Sequence, residues 1–451
     1  MATFPHANKD DSNDRFTSTY NKDFQWHQTK YPDKGPSRRS QGSVSGSKVE
    51  YKNVLQQKSE GAKYMQDQPN HVPDQRHYLG NNGMSNRNTK DRSTIHAEKT
   101  HVMRTDDVSR EEQIKTTVYG QCIGDAIGLL TEFMTKSEAH HAYGNCRYLT
   151  YSDKKRDSHR ERWVTGDWTD DTDHMILIMQ SLTHCNGKVN SRDFAARLRH
   201  WADNGFQELG DQSGTGLGNT TYTVISHKLF LSDPQMAAEQ TWLERGKTDA
   251  ANGAVMRTAI LGIHEWWDTT KVEENAKQIC RTTHFDPRCQ ASAVAVSVAI
   301  SLMIQRKTEH YESSRNTYNI DKIIDECYNR AVKILDSEGQ KRELQNSLRC
   351  NDLGSLKLDE NGKIGYTFKC LGAAFWALKQ NNFKKAITAI LFEGGDADTN
   401  CAVAGALLGC KLRNLSELPA DWLRDLHYKK WLDEKLNRYL DVLRRMQSKY
   451  V

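Results

Sequence analysis

Glu393-Gly394-Gly395-Asp396-Ala397-Asp398-Thr399-Asn400 runs almost directly into Ala402-Val403-Ala404-Gly405-Ala406-Leu407-Leu408-Gly409. The second half reads as a helix of small residues. A glycine inside a helix costs about 1 kcal/mol relative to alanine, and close approach of a neighbouring helix is a physical reason to accept that cost. The first half places two carboxylates and a hydroxyl at the start of this helix, after a glycine pair that allows a turn other residues resist. Tight packing of the helix would then hold the acidic loop in place. Asp396 and Asp398 alternate, as ligands on an extended loop do. The main competing reading, an EF-hand calcium loop, needs more ligands and a distal glutamate, and the segment has neither.

A second acidic segment, Trp168-Thr169-Asp170-Asp171-Thr172-Asp173, lies 226 positions earlier, counted from Asp170 to Asp396. Thr169 is a natural helix N-cap, and acidic residues in a first turn favour the helix dipole. Capping accounts for the segment taken alone. Adjacent helical residues point about 100° apart, however, so Asp170 and Asp171 can reach two different ions. Brought together, the two segments make a set of hard oxygen ligands with four aspartates. Such a set is best satisfied by two divalent cations, Mg²⁺ or Mn²⁺, and two metals make a hydrolytic site.

Outward from these segments the patterns are helical almost throughout. Ile114, Val118, Ile123, Ala126 and Ile127 recur at helical spacing, as do Phe194, Leu198, Trp201 and Ala202 behind a cap expected at Ser191. Residues 291–304 are apolar on all sides, too short a run to span a bilayer and suited to a buried central helix. Residues 320–335, 371–378, 402–412 and 431–446 continue the series, and residues 146–151 are the one strand-like stretch. These readings predict an all-α catalytic domain over residues 105–451, large for one core but within reach of it.

Residues 1–104 read differently. The first hundred residues hold five of the eight prolines, none of the ten cysteines, and 16 Lys and Arg against 11 Asp and Glu. The rest carries 47 of each sign, so the formal net charge of +5 resides in the tail and gives no sign of a basic face for nucleic acid on the folded part. A polar segment without apolar period cannot offset its chain entropy, so a disordered tail is expected. Its aromatics, among them Phe4, Phe16, Tyr20, Phe24, Trp26 and Tyr31, offer a short interaction motif, with a solvated spacer as the simpler reading. The N-terminus carries no apolar signal region, and the scattered cysteines form no Cys-x-x-Cys pair. No membrane association is expected. An intracellular, cytoplasmic setting follows, with the nucleus as the alternative.

Three more segments complete the candidate chemistry: Gly124-Asp125-Ala126-Ile127-Gly128-Leu129-Leu130-Thr131-Glu132-Phe133, Ala251-Asn252-Gly253-Ala254-Val255-Met256-Arg257, and Thr282-Thr283-His284-Phe285-Asp286-Pro287-Arg288. Each has a plain structural reading by itself: Glu132 as a solvated surface glutamate, His284 as a hydrogen-bonded structural histidine. Together with Gly365-Tyr366-Thr367-Phe368 and the two acidic segments, and in this order, they resemble the ADP-ribosylglycohydrolases, founded on the dinitrogenase-reductase-activating glycohydrolase. The resemblance covers residues 117–409, about two-thirds of the chain.

The resemblance implies an all-α fold with two Mg²⁺ or Mn²⁺ in a cleft. Thr169, Asp170 and Asp171 match the first ligand set, and Asp396, Asp398 and Thr399 the second. Glu132 matches a glutamate of gating or catalysis, so Glu132, Asp170 and Asp398 form the implied catalytic set. Ala251, Asn252 and Gly253 match a loop that contacts ADP-ribose, and His284 a ribose-contacting histidine. Ala397 departs from the pattern, where many members have threonine. No implied metal ligand is missing, which argues against a non-catalytic relative such as a lens crystallin. The implied function is hydrolysis of the glycosidic bond joining ADP-ribose to a side chain of a modified protein. The alternatives are a hydrolase of another ADP-ribose or nucleotide derivative, and a binding or structural relative without turnover. Asp167, Asp173 and Glu393 read as spare negative charge near the mouth, with helix capping as the alternative for Asp173, and favour a cationic arginine acceptor over serine.

Overall fold

A computed structural model describes residues 105–146 and 148–449. The expected tail, residues 1–104, lies outside the described residues.

Two helices form the axis of the fold, and they meet backbone to backbone. A Cβ on Gly120 of the first helix, Thr105–Gly128, would stand 2.2 Å from the carbonyl oxygen of Gly405. Reciprocally, a Cβ on Gly405 of the helix Ala397–Leu412 would stand 2.1 Å from the carbonyl oxygen of Gly120. Gly124 faces Cys401, Gly128 faces Ala397, and Gly409 faces Thr116 in the same way. The small-residue stripe therefore does what its composition suggests, and it fixes the acidic N-terminus of one helix against the C-terminal end of the other. Ala397, the departure from the family pattern, is fully buried at this contact.

The helix that carries Asp398 starts a turn earlier than the sequence suggests. Its first residue is Ala397 and its N-cap is Asp396. Asp396 and Asp398 thus sit on a cap and a first turn, not on an extended loop. Gly394 and Gly395, at φ 69° and 71°, make the turn into it, and Gly395 exchanges backbone hydrogen bonds with Phe133 (2.7 Å) and Met134 (2.8 Å).

Other helices pack around this pair. Pro287–Gln305 begins with proline behind an Asp286 cap and buries every side from Cys289 to Ile304. It is long and apolar enough by composition to cross a membrane, yet 89% of its most apolar window is buried inside the fold. Lys429–Gln447 is amphipathic, buries Leu432, Leu436, Tyr439, Leu440 and Leu443, and packs against the helix Asp170–His184. Ser191–Asn204 buries Phe194, Leu198 and Trp201, but its cap is Asn190, whose side chain accepts from the amides of Arg192 and Asp193. Ser191 is instead buried and donates to the Gln278 carbonyl at 3.5 Å.

Residues 146–151 form no strand among the described residues. The Leu149 carbonyl accepts from the Trp422 indole at 2.8 Å, and the Thr150 amide donates to Asp153 at 2.7 Å. Side chains have taken the groups a ladder would need, and Tyr151–Asp153 turns as a 3₁₀ helix. The sheet among the described residues is a short hairpin, Tyr311–Glu312 against Thr317–Tyr318.

Candidate active site

The helix Asp170–His184 is capped twice. The Thr169 hydroxyl accepts from the Asp171 amide, as its sequence predicts. A second cap arrives from the first helix: Asp125 Oδ1 accepts from the amide (3.0 Å) and hydroxyl (2.8 Å) of Thr169, and its Oδ2 from the amide of Thr172 (3.0 Å). Asp125 is fully buried, and burial pushes its carboxyl up to about 7. Sequence reading passed over this residue in favour of Glu132, although both lie in the same segment.

The two acidic segments then close on each other. Thr399 Oγ1 donates to Asp171 Oδ1 at 3.2 Å, and the Thr399 amide donates to Asp398 Oδ1 at 2.8 Å. Carboxylate oxygens of Asp125, Asp171 and Asp398 lie within 4.8 Å of one another, as do those of Glu132, Asp396 and Asp398. Asp398 belongs to both groups. Asp170 belongs to neither. It lies beneath Gly216, where a Cβ would come within 2.3 Å of Asp170 Oδ1.

Electrostatics shows the strain of this crowding. Burial, then the negative charge of neighbouring carboxylates, drives Asp170, Asp171 and Asp398 well above the usual carboxylate range. Burial also raises Asp396, where hydrogen bonds with Asp398, Asn252 and Thr399 work against it. Asp171 Oδ2 is buried with no hydrogen-bond partner, an arrangement that costs free energy unless something else satisfies it. The available donors are carboxylates and threonine hydroxyls, without a thiolate or imidazole among them. Hard divalent cations fit this set on charge and on ligand type.

Glu132 is buried rather than solvated. Its carbonyl accepts from Arg160 Nη2 at 2.5 Å, and Oε2 meets His159 Nε2 at 2.6 Å. Burial opposes ionisation of Glu132, but His159, Arg162 and Arg160 outweigh it and hold its carboxyl below the usual range. Arg162 also donates to Nδ1 of the same His159 ring. The cluster His159-Arg160-Glu161-Arg162 was legible as charge, but nothing local tied it to Glu132, 27 positions away.

The loop carrying Ala251, Asn252 and Gly253 is pinned by backbone bonds to residues 365–367: Asn252 N donates to Gly365 O (2.9 Å) and Thr367 N to Ala250 O (3.0 Å). Ala251 forms the isolated bridge to Tyr366. Asn252 Nδ2 donates to Asp396 Oδ2 at 2.9 Å, and a Cβ on Gly253 would stand 3.1 Å from His284 Nε2. One loop therefore spans from the acidic centre to His284. Burial, then nearby Arg257, holds His284 well below the usual imidazole range. The Gly214-Thr215-Gly216-Leu217-Gly218 stretch that crosses Asp170 was also missed; its alternating glycines, with Gly216 at φ 104°, were the available signal.

The reading of spare charge at a mouth does not survive. Asp167 and Asp173 are 1% and 2% exposed. Asp173 accepts from the indoles of Trp168 (2.9 Å) and Trp201 (3.1 Å), and Glu393 pairs with Lys136 at 2.6 Å. Bulky aromatic neighbours, invisible in the charge pattern, have enclosed Asp173.

A family model described as ADP-ribosylglycohydrolase matches residues 106–450. ADP-ribosylarginine hydrolase Tri1 of Serratia proteamaculans is 24% identical over 323 residues, 70% of this chain and 75% of that protein. ADP-ribosyl-[dinitrogen reductase] glycohydrolase of Rhodospirillum rubrum is 24% identical over 324 residues, 72% of this chain and 92% of that protein. A solved structure titled ADP-ribosylglycohydrolase-related protein complex shares the fold, with TM-score 0.54 and 21% identity over 75% of this chain and 99% of that one.

Proposed function

The chain belongs to the ADP-ribosylglycohydrolase family, and from that premise we propose that it hydrolyses the bond between ADP-ribose and an arginine side chain of a modified protein. The observation that carries the reading is the position of Asp398, shared between two carboxylate groups, with the Asn252 loop leading from them to His284.

Thr169, Asp170, Asp171, Asp396, Asp398 and Thr399 would hold two Mg²⁺ or Mn²⁺. Bound cations of this kind supply Lewis acidity and make water more acidic. Gln121 and Asp125 lie behind the ligand segment; Asp125 keeps Thr169 and the first turn of its helix in place. Asn252, Gly253 and His284 would orient the ribose. In the reaction the bond from the anomeric carbon to the guanidine nitrogen breaks, water oxygen bonds to that carbon, and the water proton ends on the leaving nitrogen. Glu132, held by His159 and close to Asp396 and Asp398, would carry that proton.

Support for arginine over serine comes from relatives, since two bacterial proteins at 23–24% identity are named ADP-ribosylarginine hydrolases. The charge argument no longer contributes. The ten cysteines are all free, which suits an intracellular setting, and residues 1–104 are proposed as an appendage not needed for chemistry. The test offers the purified chain matched peptides ADP-ribosylated on arginine or on serine, with Mg²⁺, and measures released ADP-ribose. Preference for the serine peptide overturns the acceptor; release from neither overturns the hydrolase reading.

A further inference from the structure

Arg257, Thr283 and His284 are each at most 1% exposed and form one line of hydrogen bonds. Arg257 Nη2 lies 2.7 Å from Thr283 Oγ1, and that oxygen lies 2.8 Å from His284 Nδ1. Backbone bonds from the amides of Thr283 and His284 to the Cys280 carbonyl fix the turn that carries both residues. The Arg257 guanidinium is held over the Phe194 ring, 4.9 Å from its centroid.

The direction of each bond follows from chemistry. A guanidinium only donates, and a threonine hydroxyl has one hydrogen. Arg257 therefore occupies an acceptor site on Thr283 Oγ1. Among the described residues the hydroxyl's own hydrogen has a single acceptor, His284 Nδ1. Were Nδ1 protonated, the hydroxyl would accept twice and its hydrogen would be buried unpaired, which is disfavoured. Burial and Arg257 keep the ring neutral, so its one proton resides on the other nitrogen. That nitrogen faces Gly253, beside the asparagine that holds Asp396.

We propose that Arg257 and Thr283 are positioning residues that hold His284 as its Nε2–H tautomer, making it a hydrogen-bond donor to an oxygen of ADP-ribose beside Gly253. The ligand half of this inference rests on the proposed function; the tautomer half does not. A histidine whose tautomer were free would present a lone pair to the sugar part of the time, and the relay removes that competing state before the ligand arrives.

The experiment uses the full chain with ¹⁵N-labelled histidine. Ring-nitrogen NMR spectra are recorded without ligand, and the His284 signals are identified by their loss in His284→Gln. Protonated Nε2 and unprotonated Nδ1 are expected in the wild type. Thr283→Val should give mixed tautomers and weaken ADP-ribose binding about tenfold by calorimetry, the scale of one lost hydrogen bond. Thr283→Ser, which keeps the hydroxyl, should restore both, with an unchanged thermal transition separating this from misfolding. A wild-type Nδ1–H tautomer, or a tautomer unmoved in Thr283→Val, overturns the relay. A shifted tautomer with unchanged affinity overturns the donor role. Failure of the wild type to bind ADP-ribose overturns the proposed function, and the NMR result is read independently of it.

Discussion

Asp125 caps a helix it does not belong to: its Oδ1 takes both the amide and the hydroxyl of Thr169, 44 positions along the chain. The carboxylate ties the first helix to the segment that supplies Asp170 and Asp171. Asp125→Ala leaves buried amides of Thr169 and Thr172 unpaired and is predicted to lower unfolding free energy by about 2 kcal/mol. Because the ligand segment loses its support, Mg²⁺ affinity measured by calorimetry should fall as well. Stability lost with Mg²⁺ affinity intact would show that the cap does not orient the ligands.

Asp398→Asn removes the carboxylate common to both acidic groups. Hydrolysis should fall at least about 100-fold, as expected when a contribution of several kcal/mol is lost, while the helical signal by circular dichroism persists. Asp170→Asn should also lose most Mg²⁺-dependent activity. Chelator should silence the wild type, and Mg²⁺ or Mn²⁺ should restore it. Full turnover in excess chelator would rule out the dinuclear reading.

Gly405→Ala drives a methyl group toward the Gly120 carbonyl oxygen, 2.1 Å from the ideal Cβ position. Backbone lies on both sides of the contact, so the helices must part. A loss of about 1–3 kcal/mol is predicted from overpacking, despite the higher helix propensity of alanine, and urea denaturation measures it.

Burial pushes the Lys411 ammonium down to about 8, although it donates to the Gln380 carbonyl and to Asn381. The unfolded chain titrates near 10.4. The unfolded state therefore binds more protons between these values, and stability from this group rises as pH rises from about 8 to 10. Lys411→Met should flatten that part of the thermal midpoint against pH. An unchanged slope in the variant would exclude Lys411 as its source.

A chain beginning near Val102 should keep its helical signal, its thermal transition and its turnover. Aggregation or lost turnover of the shortened protein would contradict the boundary proposed for the catalytic unit.

Local chemistry made much of this protein legible from its sequence. Apolar spacing marked the helices, Thr169 marked a cap, and the small residues from Ala402 to Gly409 announced a close helix contact that Gly120 and Gly405 complete. Those features depend on neighbours within a turn or on the absence of a side chain, so sequence alone determines them. Partners far along the chain were decided by tertiary structure. Asp125 was hidden because its acceptors serve Thr169 and Thr172; Glu132 gained its charge environment from His159 and Arg162. The same holds where expectation failed. Asp173 looked like free charge until the indoles of Trp168 and Trp201 enclosed it, and the backbone groups of Leu149 and Thr150, read as part of a strand, are bonded to the side chains of Trp422 and Asp153. Residue type fixes what a group can bond to. Which group it meets, and whether water can still reach it, is set only when helices distant in sequence pack together.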